Sequence, residues 1–186
     1  FLKKRGVKNI EIAPKLFLYN QKNISRLNKK LFNKNINELK NYNLKIVSMQ
    51  SLLFNSNESQ LFKGQKPRKL LIKNIEKMIN LASKLKIKNL VFGSPKNRNI
   101  PKTMNKIVAK KIALIAFKKI AKYAKKKNLI ISIEANPKIY NTNFINTIYE
   151  NYRFVKEINK KNIKLILDVG EIIANKKEEK KIPSLI

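Results

Sequence analysis

The sequence predicts an α/β fold with the strand–helix alternation of a (β/α)8 TIM barrel, incomplete and with about five β/α units present. Short apolar runs rich in β-branched residues recur along the chain, and a helical pattern follows each run. The units repeat at roughly 35–45 residues, which is typical of right-handed βαβ crossovers in a parallel sheet.

The apolar runs are nearly continuous, as expected for parallel strands that are buried on both faces. They lie at Ile10–Pro14, Lys45–Gln50, Asn89–Ser94, Leu129–Glu134 and Ile163–Asp168. A doubly wound sheet is the alternative, but such sheets usually carry a glycine-rich turn after their first strand. Here that strand ends in Ala13-Pro14, and the chain has only four glycines. The barrel is therefore favoured.

Apolar residues between the runs recur at helical spacing and predict helices that pack on the sheet. One stripe comprises Leu71, Ile75, Met78, Ala82 and Leu85, with Pro67 in an early turn; a second comprises Val108, Ile112, Ile115, Ala116 and Ile120. A third comprises Ile145, Ile148, Tyr152 and Val155, with Asn141 or Thr142 as its N-cap. A weaker stripe runs from Ile24 through Leu27 and Leu31 to Leu39.

Composition narrows the classes of function. Without cysteine or histidine, the chain has no disulfide, no thiolate or imidazole metal ligand and no cysteine nucleophile. No apolar stretch is long enough to span a membrane and no signal peptide is visible, so we expect a cytoplasmic protein without a membrane partner. The sequence opens on Phe1 without a methionine, and we expect residues 1–186 to be a single partial barrel domain, truncated at both ends.

The net charge of +32 has two interpretations. A strongly basic chain is typical of proteins that bind nucleic acid. Drift toward A- and T-rich codons is the simpler explanation, because lysine, asparagine and isoleucine fill about half of the chain and arginine occurs only five times. The lysines are spread over every segment, so we expect diffuse charge and consider a nucleic-acid partner unlikely.

Two scarce acidic residues are the strongest candidates for chemistry. Glu134 and Asp168 end consecutive apolar strands, and the carboxyl ends of barrel strands build the active site. Two carboxylates there are suitable ligands for a hard divalent cation. The alternative is that Asp168 caps the next helix while Glu134 pairs with a lysine.

Weaker candidates lie near the same strand ends. Glu11 lies within the first strand and either faces the barrel mouth or pairs with an outer lysine. Lys96 and Arg98 belong to a polar loop that either holds a substrate phosphate or, as the commoner alternative, is simply solvated. Asn136 follows Glu134 by two residues and so points to the same side of an extended chain, where it either bonds a sugar hydroxyl or starts a turn. The irregular stretch from Asn55 to Lys66 is either an active-site lid or a surface insertion.

The motifs, taken in order, resemble the sugar phosphate isomerase/epimerase family, which has the xylose-isomerase-like TIM barrel fold. The resemblance rests on one motif per strand and covers nearly the whole chain. The motifs are Gly6-Val-Lys-Asn-Ile-Glu-Ile-Ala-Pro14, Ile46-Val-Ser-Met-Gln50, Asn89-Leu-Val-Phe-Gly-Ser-Pro-Lys-Asn-Arg98, Ile133-Glu-Ala-Asn-Pro137 and Leu167-Asp-Val-Gly170.

This resemblance implies a divalent metal (Mn, Mg, Co or Zn) held by Glu, Asp, His and Glu on four successive strands. Glu134 matches the first ligand and Asp168 the second, while the other two would lie beyond Ile186. The implied reaction is proton transfer next to the carbonyl of a sugar or sugar phosphate, with Glu134 as acid or base. The implied substrate-binding candidates are Glu11, Gln50, Lys96, Arg98, Asn136 and Glu171.

The same resemblance keeps two alternatives open. Apurinic endonucleases share the fold, but they use several histidines. Many relatives have a histidine three residues after the aspartate, and here Glu171 occupies that position. A basic nucleic-acid-binding module without catalysis is the other alternative. We expect the isolated fragment to be inactive, because it has only half of the implied metal ligands.

Overall fold

The computed structural model describes residues 1–18 and 29–175. Within them lies one parallel sheet whose strands follow the chain in the order β1-β2-β3-β4-β5. The strands are β1 (Asn9–Ile12), β2 (Lys45–Met49), β3 (Asn89–Phe92), β4 (Ile130–Glu134) and β5 (Ile163–Ile166). Each lies within or next to a predicted apolar run, so the predicted parallel α/β fold, an incomplete barrel, is confirmed.

Because the strands are parallel and neighbours in sequence, their carboxyl ends all reach the same edge of the sheet. The register places Phe92 beside Ile133, and Glu134 beside Ile166. Residues that directly follow β3 therefore lie next to the last residue of β4. This alignment brings the side chains of three loops to one place.

The helices connect the strands and cover the sheet. They are α1 (Pro14–Phe17), α2 (Lys29–Asn41), α3 (Gln65–Lys84), α4 (Lys106–Lys126), α5 (Ile148–Ile158) and α6 (Val169–Ala174), with 3-10 turns at Lys3–Arg5, Pro95–Asn97 and Lys138–Tyr140. Helix α3 packs on α4, and α4 packs on α5. None of the helices in these described ranges is long and apolar enough to cross a membrane.

Aromatic side chains join the helices to the loops above the sheet. Phe62, Phe144, Phe154, Phe117 and Phe92 contact one another in series, edge to face, with ring centroids 5.0 to 5.5 Å apart. Edge-to-face pairs at this distance are favourable beyond their buried area. The loop after β2 is thus tied into the same core as helices α4 and α5.

The buried face of α4 differs from the predicted stripe. Ala116 and Ile120 are buried as predicted, but Val108 and Ile115 are 49% and 59% exposed. The buried residues are instead Ala109, Ala113, Ala116, Phe117, Ile120, Ala121 and Ala124. Small side chains allow the helix to lie close to its neighbours, while Val108 and Ile115 of the predicted stripe face solvent.

The predicted start of the helix after β4 was also wrong. Helix α5 begins at Ile148, where the Thr147 hydroxyl accepts a hydrogen bond from the Glu150 amide at 3.1 Å. Neither Asn141 nor Thr142 caps it, because both belong to the preceding loop. In the weaker stripe, Ile24 and Leu27 lie outside the described residues, while Leu31 and Leu39 belong to α2.

The two faces of α4 predict opposite responses to substitution. Ala113 is fully buried, so Ala113→Leu should overpack the α4 contact and lower the free energy of unfolding by about 1–3 kcal/mol. Ile115→Ala on the exposed face is the matched control and should change it by less than about 0.5 kcal/mol. Urea denaturation measures both. A larger loss from Ile115→Ala than from Ala113→Leu would show that the helix is rotated.

Candidate active site

A cavity of about 400 Å³ opens where the strands end. Its walls come from the segments that follow β2, β3, β4 and β5. The lining residues are Gln50, Ser51, Leu53, Phe54, Asn55, Asn57, Val91, Gly93, Ser94, Pro95, Lys96, Asn97, Glu134, Asn136, Tyr140 and Asp168. Both carboxylates singled out in the sequence therefore face one concave space.

Glu134 is the last residue of β4, and its half-buried side chain enters the cavity. The Asn136 amide nitrogen donates a hydrogen bond to Glu134 Oε2 at 3.1 Å and another to the Ala135 carbonyl at 2.9 Å. Asn136 Oδ1 is buried and accepts no hydrogen bond from the described parts of the chain. The amide therefore orients the carboxylate while its own oxygen remains available to a ligand.

Gly93 gives the Glu134 carboxylate its space. An ideal Cβ placed on Gly93 would overlap Glu134 Oε2 and would lie 3.5 Å from Asn136 Oδ1. Gly93 directly follows β3 and lies beside the end of β4, so any larger residue there meets the carboxylate. The need for glycine at this position is steric.

Asp168 follows β5 and has two roles in the structure. Its Oδ1 accepts hydrogen bonds from the amides of Gly170 at 2.6 Å and Glu171 at 3.3 Å, which caps helix α6. The residue also lines the cavity. The two interpretations from the sequence, a helix cap and a carboxylate at the mouth, are thus compatible, because the cap uses Oδ1.

The carboxylates influence each other. Burial raises the pKa of Glu134, and the nearby Asp168 raises it further, while the hydrogen bond from Asn136 and the charge of Arg98 oppose the rise. A cation between the two carboxylates would stabilise both charges. Two carboxylates and an amide oxygen without a donor are the oxygen ligands that a hard divalent ion prefers, so these residues fit such an ion.

Residues 1–18 and 29–175 contain no group of three or more acidic, histidine or cysteine side chains that could hold a metal by themselves. Glu134 and Asp168 therefore form a pair and not a complete ligand set. Their location agrees with the predicted placement at neighbouring strand ends, and their role as metal ligands stays a prediction.

The remaining predicted residues divide into two groups. Gln50 and Lys96 line the cavity together with Asn136, at the ends of three different strands. Glu11 is an exposed residue of β1 and is absent from the cavity wall. Glu171, by contrast, is 1% exposed within α6, behind its cap. Neither Glu11 nor Glu171 is placed to contact a substrate in this cavity.

Arg98 also departs from its predicted role. We expected a loop arginine that binds a substrate phosphate, but its side chain is completely buried below the cavity. Its Nη1 donates to the Glu134 carbonyl at 2.9 Å, and its Nη2 donates to the Ile145 carbonyl at 3.3 Å. The guanidinium is used inside the protein, so Lys96 is the basic residue of this loop that lines the cavity.

Sequence reasoning missed several residues of the wall, among them Ser51, Ser94 and Tyr140. Ser51 and Ser94 follow β2 and β3 closely and have left-handed backbones, with φ of 53° and 44°. Positive φ is uncommon outside glycine and clusters at functional sites. Tyr140 lines the cavity from the 3-10 turn after β4. Serine gives no sequence signal for this conformation, and Tyr140 lies outside every strand motif.

The stretch from Asn55 to Lys66 is neither a lid nor a solvated insertion along its central part. Leu61 and Phe62 belong to the core, with 0% and 2% exposure. The Asn97 amide nitrogen donates to the carbonyls of Ser56 and Ser59, at 2.9 and 2.6 Å. The loops after β2 and β3 are thereby fastened together.

Comparisons with known proteins agree with this architecture. The family model described as xylose isomerase-like TIM barrel matches residues 1–184. No curated protein sequence matches the chain significantly.

Solved structures with the same fold include a D-psicose 3-epimerase with D-fructose (18% identity, TM-score 0.73, 95% of this chain and 58% of that one). Another is the apo 3-keto-D-glucoside 4-epimerase of E. coli (16% identity, TM-score 0.72, 98% and 65%). A third is a xylose isomerase-like TIM barrel protein of Mycobacterium smegmatis with magnesium (15% identity, TM-score 0.62, 92% and 55%). The chain spans between 55% and 65% of the length of these neighbours.

Gly93→Ala should displace the Glu134 carboxylate, because the new methyl group overlaps Oε2. Because Oε2 is the far end of a flexible side chain, we expect a cost of about 1 kcal/mol in the free energy of unfolding of wild type, the low end for overpacking. In a Glu134→Ala background the same change should cost less, since the overlapping atom is gone. Chemical denaturation of wild type, Gly93→Ala, Glu134→Ala and the double variant gives the coupling energy between the two positions. Equal costs in the two backgrounds would contradict the steric role of Gly93.

The raised pKa of Glu134 predicts a pH-dependent effect of Glu134→Gln on the metal-free chain. A carboxyl whose pKa is higher in the folded than in the unfolded state stabilises the fold below its ordinary pKa of about 4.3. That contribution is lost as pH rises through the raised value. The stability of Glu134→Gln relative to wild type should therefore increase across this window.

Denaturation in chelator-containing buffer at several pH values measures this difference. Glu11→Gln, which removes an exposed carboxylate from β1, is the matched control. A difference between Glu134→Gln and wild type that is flat or falls with pH would be inconsistent with the raised pKa.

Proposed function

Because the chain belongs to the xylose isomerase-like TIM barrel family, we propose that it carries part of the active site of a metal-dependent sugar or sugar-phosphate isomerase or epimerase. One observation carries the proposal. The carboxylates of Glu134 and Asp168 meet in one cavity at the carboxyl ends of neighbouring parallel strands. That is where barrels of this architecture place their chemistry.

The neighbours named above support the substrate class. Two of them are sugar epimerases, and the proposed chemistry for this chain is of the same kind. At 16–18% identity these neighbours share only the fold with the chain. The proposed substrate class therefore also has to rest on the residues of the chain itself. The cavity of about 400 Å³, walled by both apolar and polar side chains, has the size and character of a small-molecule site.

Glu134 and Asp168 would hold the divalent ion, and the third neighbour is a protein of this fold in complex with magnesium. A bound divalent ion would polarise the carbonyl and hydroxyl oxygens of a sugar and so lower the cost of removing the adjacent proton. Asp168 can contribute to holding the ion and still cap α6, because the cap uses Oδ1. Asn136 Oδ1 is a further oxygen at the same place.

Glu134 is the carboxylate best placed to move a proton. Its carboxylate enters the cavity from the last residue of β4, where it would accept the proton and return it. Gln50, Lys96 and Tyr140 line the cavity around it and supply donors and acceptors for sugar hydroxyls. Lys96, the cation of this wall, is suited to the charge of a phosphate.

The net charge of +32 supports a second candidate function, an activity on nucleic acid. An endonuclease or a nucleic-acid-binding module would use that charge against phosphates. The chain contains no histidine, whereas the endonucleases that the sequence resembles use several, so the sugar enzyme is the favoured proposal. The interpretation of residues 1–186 as one partial barrel domain, and the placement of the protein in the cytoplasm, remain predictions.

The activity test uses the protein as its gene encodes it. We expect interconversion of ketohexoses or their phosphates that is abolished by chelation and restored by manganese, magnesium, cobalt or zinc. Glu134→Gln should lower kcat by at least about a hundredfold, because it removes the group that accepts the proton. Chromatographic product analysis measures the reaction, and Glu11→Gln is the control, since Glu11 lies outside the cavity.

Two outcomes would overturn this assignment. Robust turnover in chelator would remove the metal from the account. Cleavage of abasic-site DNA without any conversion of sugars would favour the endonuclease instead.

A further inference from the structure

Arg98 is a fully buried cation that no substrate in the cavity can reach. Its relative exposure is 0%, and it is the largest of the fully buried side chains in the described chain. Its two terminal nitrogens donate to the carbonyl oxygens of Glu134 and Ile145, and Nε has no hydrogen-bond partner in residues 1–18 or 29–175. One planar group thus bridges the end of β4 and the segment before α5.

The second of these carbonyls belongs to an unusual backbone. Ile145 is 5% exposed and has a φ of 57°, a conformation that β-branched residues rarely adopt. Its carbonyl also accepts a hydrogen bond from the backbone N–H of Asn136 at 3.0 Å. Such a conformation costs on the order of 1–3 kcal/mol and persists only when its surroundings fix it. Arg98 and Asn136 are two of the groups that fix it.

The residues next to Arg98 extend the same connection. The Asn99 amide nitrogen donates to the Asn141 carbonyl at 2.6 Å. Ile100 exchanges two hydrogen bonds with the Asn143 side chain, at 2.7 and 2.9 Å. The loop after β3 is therefore joined to the loop after β4 by the two residues that follow Arg98 as well as by its guanidinium.

Three carboxylates influence the charge of this arginine. Burial lowers the pKa of Arg98 to about 10, and the carboxylates of Glu134, Glu171 and Glu150 oppose the shift. The guanidinium therefore stays charged at neutral pH. A buried ion pair is seldom retained for stability alone, since apolar residues of similar volume often serve as well. A bridge between the strand end and its loop is a reason to retain it.

We propose that Arg98 is a positioning residue of the cavity, which holds the backbone of Glu134 and the strained turn at Ile145 so that the Glu134 carboxylate and the Asn136 amide meet the ligand in one fixed arrangement. The backbone claim stands on the geometry of the metal-free chain, and the consequence for ligand binding rests on the proposed function. Lysine cannot replace the bridge, because it lacks the planar fork that reaches both carbonyls.

The test compares Arg98→Lys with the double variant Arg98→Met/Glu171→Gln. The double variant removes the buried charge of Glu171 together with its nearby cation, so that the Glu171 carboxylate is not left without this cation. Arg153→Met on α5 is the control, because Arg153 is an exposed arginine outside this cavity. Thermal unfolding of all variants establishes that they are compared as folded proteins.

Two readouts follow. Amide hydrogen exchange at Asn136, measured without metal, reports the bridge directly, and we expect at least about tenfold faster exchange in the double variant at matched global stability. Manganese affinity, measured by titration calorimetry on the protein as its gene encodes it, should fall by about tenfold or more. Arg98→Lys should lie between the double variant and wild type, and Arg153→Met should match wild type in both.

The outcomes separate the two proposals. Unchanged Asn136 exchange in a folded double variant overturns the positioning role. If exchange is faster in the double variant and wild type binds no manganese, the bridge is supported while the metal function is contradicted. Faster exchange with unchanged manganese affinity would show that Arg98 is structural only, and the proposal would fail.

Discussion

The half-buried carboxylate of Glu134 is the constraint on which the site depends. A carboxylate at the end of a buried strand is costly unless donors or cations compensate it. The structure supplies the Asn136 amide beside it, the Arg98 charge below it and the absence of a side chain at Gly93. Asp168 acts in the opposite direction and raises the pKa of Glu134. The pair is therefore balanced incompletely by the chain itself, which is the physical reason to expect a cation between them.

The surrounding backbone is organised to keep this arrangement. Residues with positive φ occur next to the cavity at Ser51 and Ser94, and below it at Ile145. The side chain of Asn97 fastens the loop after β2, and Asn99 and Asn143 join the loops after β3 and β4. Ordered loops of this kind position polar groups before a ligand arrives, so less of the binding free energy is spent on ordering them.

The strands and their order could be predicted from the sequence, because parallel strands leave nearly continuous apolar runs of a recognisable length. Of the described strands, β3 and β4 are the largely buried ones, while β1, β2 and β5 also contain exposed residues. The placement of Glu134 and Asp168 followed from the same runs, since parallel strands end at one edge. The face of α4 could not be predicted as well. Alanine gives little periodic signal, and the exposed Val108 and Ile115 misled the pattern. The burial of Arg98 was not foreseeable either, because a charged loop residue is usually exposed and only the tertiary structure supplies its carbonyl partners.

A direct measurement of the central claim is manganese titration of wild type, Glu134→Gln and Asp168→Asn by calorimetry, on the protein as its gene encodes it. Asp168→Asn is informative because asparagine caps a helix as well as aspartate does, so α6 should remain intact while the charge is lost. The account predicts one manganese site in wild type, with affinity reduced by about tenfold or more in each variant. Wild-type affinity retained in both folded variants would contradict a metal held between these carboxylates.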